Sequence, residues 1–147
     1  MARIAILAVL TLVFPAWTQP GENMLRFADN NTEIADKAAD GAADQRAARD
    51  MDIGRHYIGQ RYYAAALNRF KIVVTQFPTS RHVEEALACL TESYLALGIA
   101  SQAQTAVAVL GRKFPNGHWS ALAHDALNSA GFEPAEDEKS WISQTFK

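Results

Sequence analysis

Few residues in this chain could do covalent, acid-base or metal chemistry: one cysteine, Cys89, and four histidines, His56, His82, His118 and His124. Two histidines hold zinc on one helix face when about four residues separate them. His118 and His124 stand six apart, which on a helix turns them about 120° away from each other. They are not a metal pair. His82 and Cys89 share a face but lie about 10 Å apart along a helix axis, beyond a nucleophile-base hydrogen bond. Cys89, between Ala88 and Leu90, reads as a small core residue. Alone it can neither close an internal disulfide nor build a thiolate cage. No glycine-rich phosphate loop occurs; Gly54, Gly59, Gly98, Gly111 and Gly117 are scattered as helix ends require. No catalytic residue, metal or cofactor is expected. A small hydrolase or metal enzyme using His56, His82 or His124 is the weakest reading.

Binding chemistry is better represented. Arg69 lies beside Ala66 and Phe70 yet is charged, so it should emerge at the edge of a packed face, where its planar guanidinium can hold a carboxylate. A solvated helix arginine is the plainer alternative. Near the end, the acids Glu133, Glu136, Asp137 and Glu138 precede Trp141, Ile142 and Phe146. That segment, 133–147, either offers Trp141 and Phe146 to a partner or folds back over its own domain. The whole chain has 147 residues, with 14 Lys and Arg against 16 Asp and Glu. The resulting charge of −2 and the lack of a basic run argue against nucleic-acid binding, which draws on released phosphate counterions.

The elements that position these residues repeat. Gly54, Tyr57, Ala66, Phe70 and Pro78 follow one another at gaps of three, nine, four and eight, the tetratricopeptide pattern of a helix-turn-helix unit. A shift of 37 brings Tyr94, Ala103, Val107 and Pro115 into step with the last four. Small residues at Ala66 and Ala103 let two helices cross closely, the aromatics fill the space beside them, and the prolines end each second helix. The pattern predicts an all-α fold, a tetratricopeptide-like helical-hairpin solenoid of two repeats plus a C-terminal capping helix. Helices are expected near 44–59, 62–76, 81–97, 100–113 and 119–129, with Ser80 and Ser120 as N-caps and Gly98 as a left-handed C-cap.

Ahead of the repeats, Arg3 precedes the apolar run Ile4–Phe14, about 16 Å of helix against a bilayer core of about 30 Å. Residues 1–20 therefore read as an export signal with a weak Ala16, Thr18 cleavage pair. A helix of the fold, or translation from a misplaced start, are the alternatives. Residues 21–40 read as a polar, disordered linker. An alanine-rich helical pattern from Asp36 is broken by Gly41. The helical domain is expected at 41–132.

The stretch MDIGRHYIGQRYYAAALNRFKIVVTQFPTSRHVEEALACLTESYLALG, then AVLGRKFPNGHWSALAHDAL and EDEKSWISQTFK, closely resembles the C-terminal half of the BamD (ComL) family of outer-membrane assembly lipoproteins. The resemblance covers about 40–147. It implies a periplasmic helical scaffold at the outer membrane, in the complex that folds and inserts β-barrel proteins. It also implies docking on the membrane-proximal POTRA domain of the barrel subunit BamA, alongside the other subunits of that complex. The family's Asn-Arg pair matches Asn68 and Arg69, and its arginine meets an acidic partner. Two departures stand out. The family's lipidated N-terminal cysteine has no counterpart, so the membrane would be reached only indirectly. The N-terminal repeats that hold unfolded substrates are missing, as in a truncated member or a short paralogue. Another periplasmic repeat protein, such as the Tol-Pal-associated cell division coordinator, shares the Pro-Thr-Ser junction and the tyrosine spacing but not the C-terminal tail.

Overall fold

The computed structural model describes residues 20–147, with side-chain surroundings from residue 31. The expected export signal lies outside the described residues, apart from the helical position Pro20. Six helices and no strand occur among the described residues: α1 (Pro20–Gly59), α2 (Tyr63–Gln76), α3 (Val83–Ala96), α4 (Ala100–Lys113), α5 (His118–Ser129) and α6 (Trp141–Thr145). The second to fifth fall within two residues of their expected bounds. Two compact units divide the chain, 1–37 and 38–147.

The expected linker is a correction: residues 21–40 belong to α1. From Glu22 to Asp40 no glycine or proline interrupts the chain, and Ala, Glu, Asp and Lys sustain helix without a core face. In the first unit the helix is exposed from residue 31 onward, Ile34 included. Gly41 does not break it; the glycine stands in open space, where it costs about 1 kcal/mol relative to alanine.

In the second unit α1 buries Ala47, Met51 and Gly54 along one stripe, at the spacing of a single helix face. α2 answers with Ala66, Phe70, Val73 and Val74. Gly54 is where the two helices meet most tightly: a Cβ there would sit 2.4 Å from the Phe70 ring. No other residue fits without displacing an aromatic from the core. α2 ends at Gln76, with the Phe77 amide donating to the Val73 carbonyl at 3.0 Å, and Pro78 prevents continuation.

α3 is the centre of the stack. It packs against α2, α4 and α5, and so buries residues on most of its circumference, from Val83 through Leu87, Cys89 and Leu90 to Tyr94. Each large aliphatic side chain buried here contributes about 1.5–3 kcal/mol. Gly98, at φ +73°, closes α3 as expected. Its amide donates to the Leu95 carbonyl at 3.0 Å and the Ile99 amide to that of Tyr94 at 2.8 Å. The turn after α1 repeats this geometry with a different residue: Arg61 takes φ +63°, its amide donates to Ile58 at 2.8 Å, and the Tyr62 amide donates to Tyr57 at 2.9 Å. A left-handed conformation costs a non-glycine residue about 1–2 kcal/mol.

Two carboxylates connect one hairpin to the next. Asp44 on α1 accepts from the Ser80 hydroxyl at 2.6 Å and the Arg81 amide at 3.3 Å, at the entrance to α3. Ser80 in turn accepts from the His82 amide at 3.2 Å. Glu84 on α3 accepts from the amides of Trp119 and Ser120, at 3.0 and 3.1 Å, at the start of α5. This corrects the expected Ser120 cap, which lies inside α5; the donor-rich helix terminus is served from a neighbouring helix. Gly117 makes room for it, since a Cβ there would meet the Glu84 carboxylate.

The C-terminal segment is also a correction, because it belongs to the 38–147 unit and is not a separate tail. Its extended part is pinned to α4: Gln104 donates to the Glu133 carbonyl at 2.8 Å, and Arg112 pairs with Glu136 at 2.9 Å. Ser140 then caps α6, accepting from the Ile142 amide. Ile142 and Phe146 join the core beside α4. α6 thus covers this side of the stack, the fold-back alternative for residues 133–147.

Candidate partner-binding surface

Arg69 and Asn68 lie mid-way along α2. Asn68 is exposed and Arg69 is partly covered, because neighbouring positions on a helix are turned by about 100° and only Phe70 faces the core. The guanidinium is not free: its Nη1 donates to Asp50 Oδ1 on α1 at 3.3 Å, with the two side chains 39% and 19% exposed. One of its five donors is thereby used, and the side chain stays partly exposed. A long, solvent-screened pair of this kind positions the cation more than it stabilises the fold.

A second arginine was overlooked in the sequence. Arg55 on α1 pairs with Asp52 at 2.6 Å and also reaches Glu85 on α3, so it bridges adjacent hairpins. Burial works against its charge, but the hydrogen bonds to Asp52 and Glu85 outweigh it and hold the guanidinium above its ordinary pKa. The only signal in the sequence was the i, i+3 pairing with Asp52. Glu85 lies 30 residues away and carried none.

Of the two aromatics expected at an interface, Phe146 is 8% exposed and sits in the protein's own core, with the Lys113 ammonium 5.7 Å from its ring. It is not available to a partner. Its hydrophobic ring is satisfied within the chain once the tail turns at Ser140. Trp141 is half-buried: its indole N–H donates to the Tyr94 hydroxyl at 3.1 Å and Lys71 of α2 lies 4.9 Å from the ring. Burial raises the Tyr94 pKa, against the opposing effect of the indole. Trp141 thus leaves one edge beside α2, whereas Phe146 does not.

The repeat positions hold the scaffold. Ala66, Phe70 and Ala103 are fully buried, Tyr94 nearly so, and Tyr57 packs partly buried against the core. The histidines do not converge. His56 bonds to Gln60, His124 to Asn128, and His118 packs edge-on against Trp119. Cys89 is buried in the core, and burial, with Glu85 and Glu92 nearby, pushes its thiol up to about 12. Among the described residues no group of three or more His, Cys, Asp or Glu is placed to hold a metal ion, and no helix is long and apolar enough to cross a membrane.

Stacked helical hairpins, repeat positions devoted to packing, and polar groups displayed on helix flanks define a tetratricopeptide-like scaffold. The sequence profile of the YfiO family, described as an outer membrane lipoprotein, matches residues 31–110, and the chain belongs to that family. Among curated proteins, the outer membrane protein assembly factor BamD of Caulobacter vibrioides is 41% identical over 108 residues, 71% of this chain and 35% of the relative. BamD of Rickettsia prowazekii is 40% identical over 81 residues, 55% of this chain and 32% of the relative. The chain spans about a third of the length of these relatives. No solved structure gives a significant match.

Proposed function

We propose that this chain is a non-enzymatic scaffold in outer-membrane protein assembly. It works at the periplasmic face of the outer membrane, and docks through Asn68 and Arg69 of α2 on the membrane-proximal POTRA domain of BamA. The identity to two BamD proteins over the helical hairpins supports the role. The observation that carries the contact is Arg69 itself, partly exposed in the ALNRF segment and oriented by Asp50, with its other donors unspent. A guanidinium so placed matches a carboxylate in two parallel hydrogen bonds. The 38–147 unit would be the docking module, and the export signal at 1–20 would deliver it to the periplasm.

Calorimetric titration of the full chain with that POTRA domain tests the proposal. Micromolar binding is expected, weakened at least tenfold, about 1.4 kcal/mol, by Arg69→Gln. Glutamine is chosen because glutamate would face Asp50 with like charge. Absence of binding by a folded sample would overturn the assignment.

A further inference from the structure

The turn between α1 and α2 holds the only non-glycine residue in the left-handed region among the described residues, Arg61. Thirty-seven residues on, the same turn with the same two hydrogen bonds carries Gly98. A glycine would therefore serve the fold at position 61 without strain, and a residue kept in a strained conformation points to a use. The Arg61 side chain is exposed and forms no hydrogen bond or ion pair with any described residue.

It lines an open cleft of about 420 Å³ with Tyr57, Tyr62, Tyr63 and Leu97. Tyr62 is 61% and Leu97 41% exposed, so the cleft presents aromatic and aliphatic surface that nothing in the described chain covers. Ala64 and Ala65 of α2 also line it. One helical turn further, at i+4, stand Asn68 and Arg69. Cleft and Asn68–Arg69 surface thus form one strip along α2, with a free guanidinium at one end and a half-engaged one at the other. α2 itself contains no acidic residue.

We infer that this strip seats an acidic segment of the docking partner that carries an aromatic or branched aliphatic side chain. The apolar side chain enters among the tyrosines while carboxylates on either side meet Arg61 and Arg69. Tyrosine and arginine are the side chains that dominate binding when an apolar group is buried and its charged rim is matched. This inference rests on the proposed docking of α2, and it deepens it by giving the chemistry of the partner's contact.

The test titrates the full chain and its Arg61→Gly, Tyr62→Ser and Arg69→Gln variants with the same POTRA domain, and melts each variant alone. Arg61→Gly should melt at the same or a higher temperature yet bind at least tenfold more weakly. Tyr62→Ser, altering an exposed side chain, should weaken binding similarly without unfolding the chain. If both bind like the parent while Arg69→Gln is weakened, the cleft assignment falls and the Arg69 docking stands. If the parent chain does not bind, both fall. Self-association of the chain that Arg61→Gly and Tyr62→Ser abolish, with POTRA binding intact, would give the cleft to a second copy and overturn the inference.

Discussion

Where α1 crosses α2, Gly54 leaves space that the Phe70 ring fills; at the matched positions of the second hairpin stand Thr91 and Val107, both buried. The first hairpin spends all its volume on one side of the contact and the second divides it. Thr91 can afford its hydroxyl because the group donates to the Leu87 carbonyl of its own helix at 3.0 Å. The turns differ in the opposite sense, with strained Arg61 in the first hairpin and relaxed Gly98 in the second. Summed volume and a left-handed turn are what the repeat demands; which residue supplies each is open. The two hairpins differ most in what they display, a tyrosine-lined cleft and Arg69 on the first against a second whose α4 is partly covered by the C-terminal segment.

The comparison breaks hardest at the crossing. Gly54→Thr should cost about 3 kcal/mol by overpacking against Phe70, read in urea denaturation. Adding Phe70→Val copies the second hairpin's solution and should recover at least about 1 kcal/mol as coupling between neighbours. A strictly additive double variant would mean that the hairpins are not interchangeable here.

At the turns, Gly98→Arg should cost about 1–2 kcal/mol, the strain that Arg61 already carries. Melting of this variant should show a lower temperature, whereas Arg61→Gly should show no such fall. At the capping carboxylates, Glu84→Ala should cost about 1 kcal/mol by freeing the α5 amides, seen as lower stability in the same denaturant series.

Asp44 sharpens the comparison through pH. The Ser80 hydrogen bond, against a smaller effect of burial, holds its carboxyl below the usual 3.8. Its contribution is therefore complete above that value and lost as pH falls through the lower folded value. Asp44→Asn should flatten the acid limb of the stability curve below about pH 4, followed by circular dichroism; an unchanged limb would remove Asp44 from the account. Smallest in energy is Cys89. With its thiol pushed up to about 12, it should resist alkylation at pH 8 in the native state and react promptly once urea unfolds the chain.

The hairpins were legible because their signal is periodic and local: Ala66, Phe70, Pro78 and their partners 37 residues on are read from spacing alone. Gly98 was legible for the same reason, since a glycine after a helical pattern has few other uses. The capping carboxylates were not. Asp44 and Glu84 act 36 residues away in the sequence, and serine is the expected cap only when a helix serves itself. The first half of α1 was misread because a polar segment without a core face looks the same whether helical or not. At the surface, Arg69 was singled out as a candidate, but its Asp50 tether, the Arg55 bridge and the burial of Phe146 depend on helices meeting in space. Arg61 was passed over, although the 37-residue register places it in step with Gly98, because an arginine is not the residue that a left-handed turn leads one to look for.

The two borrowed caps bear on how the stack opens. The first amides of α5 are held by a side chain of α3, so they exchange with solvent only when Glu84 lets go or α3 itself melts. Deuterium uptake at Trp119 and Ser120 should then follow the opening of α3 more closely than that of the rest of α5. Coupled in this way, α3 and the first turn of α5 should open together, and the start of the last hairpin-forming helix then reports on the integrity of the centre of the stack.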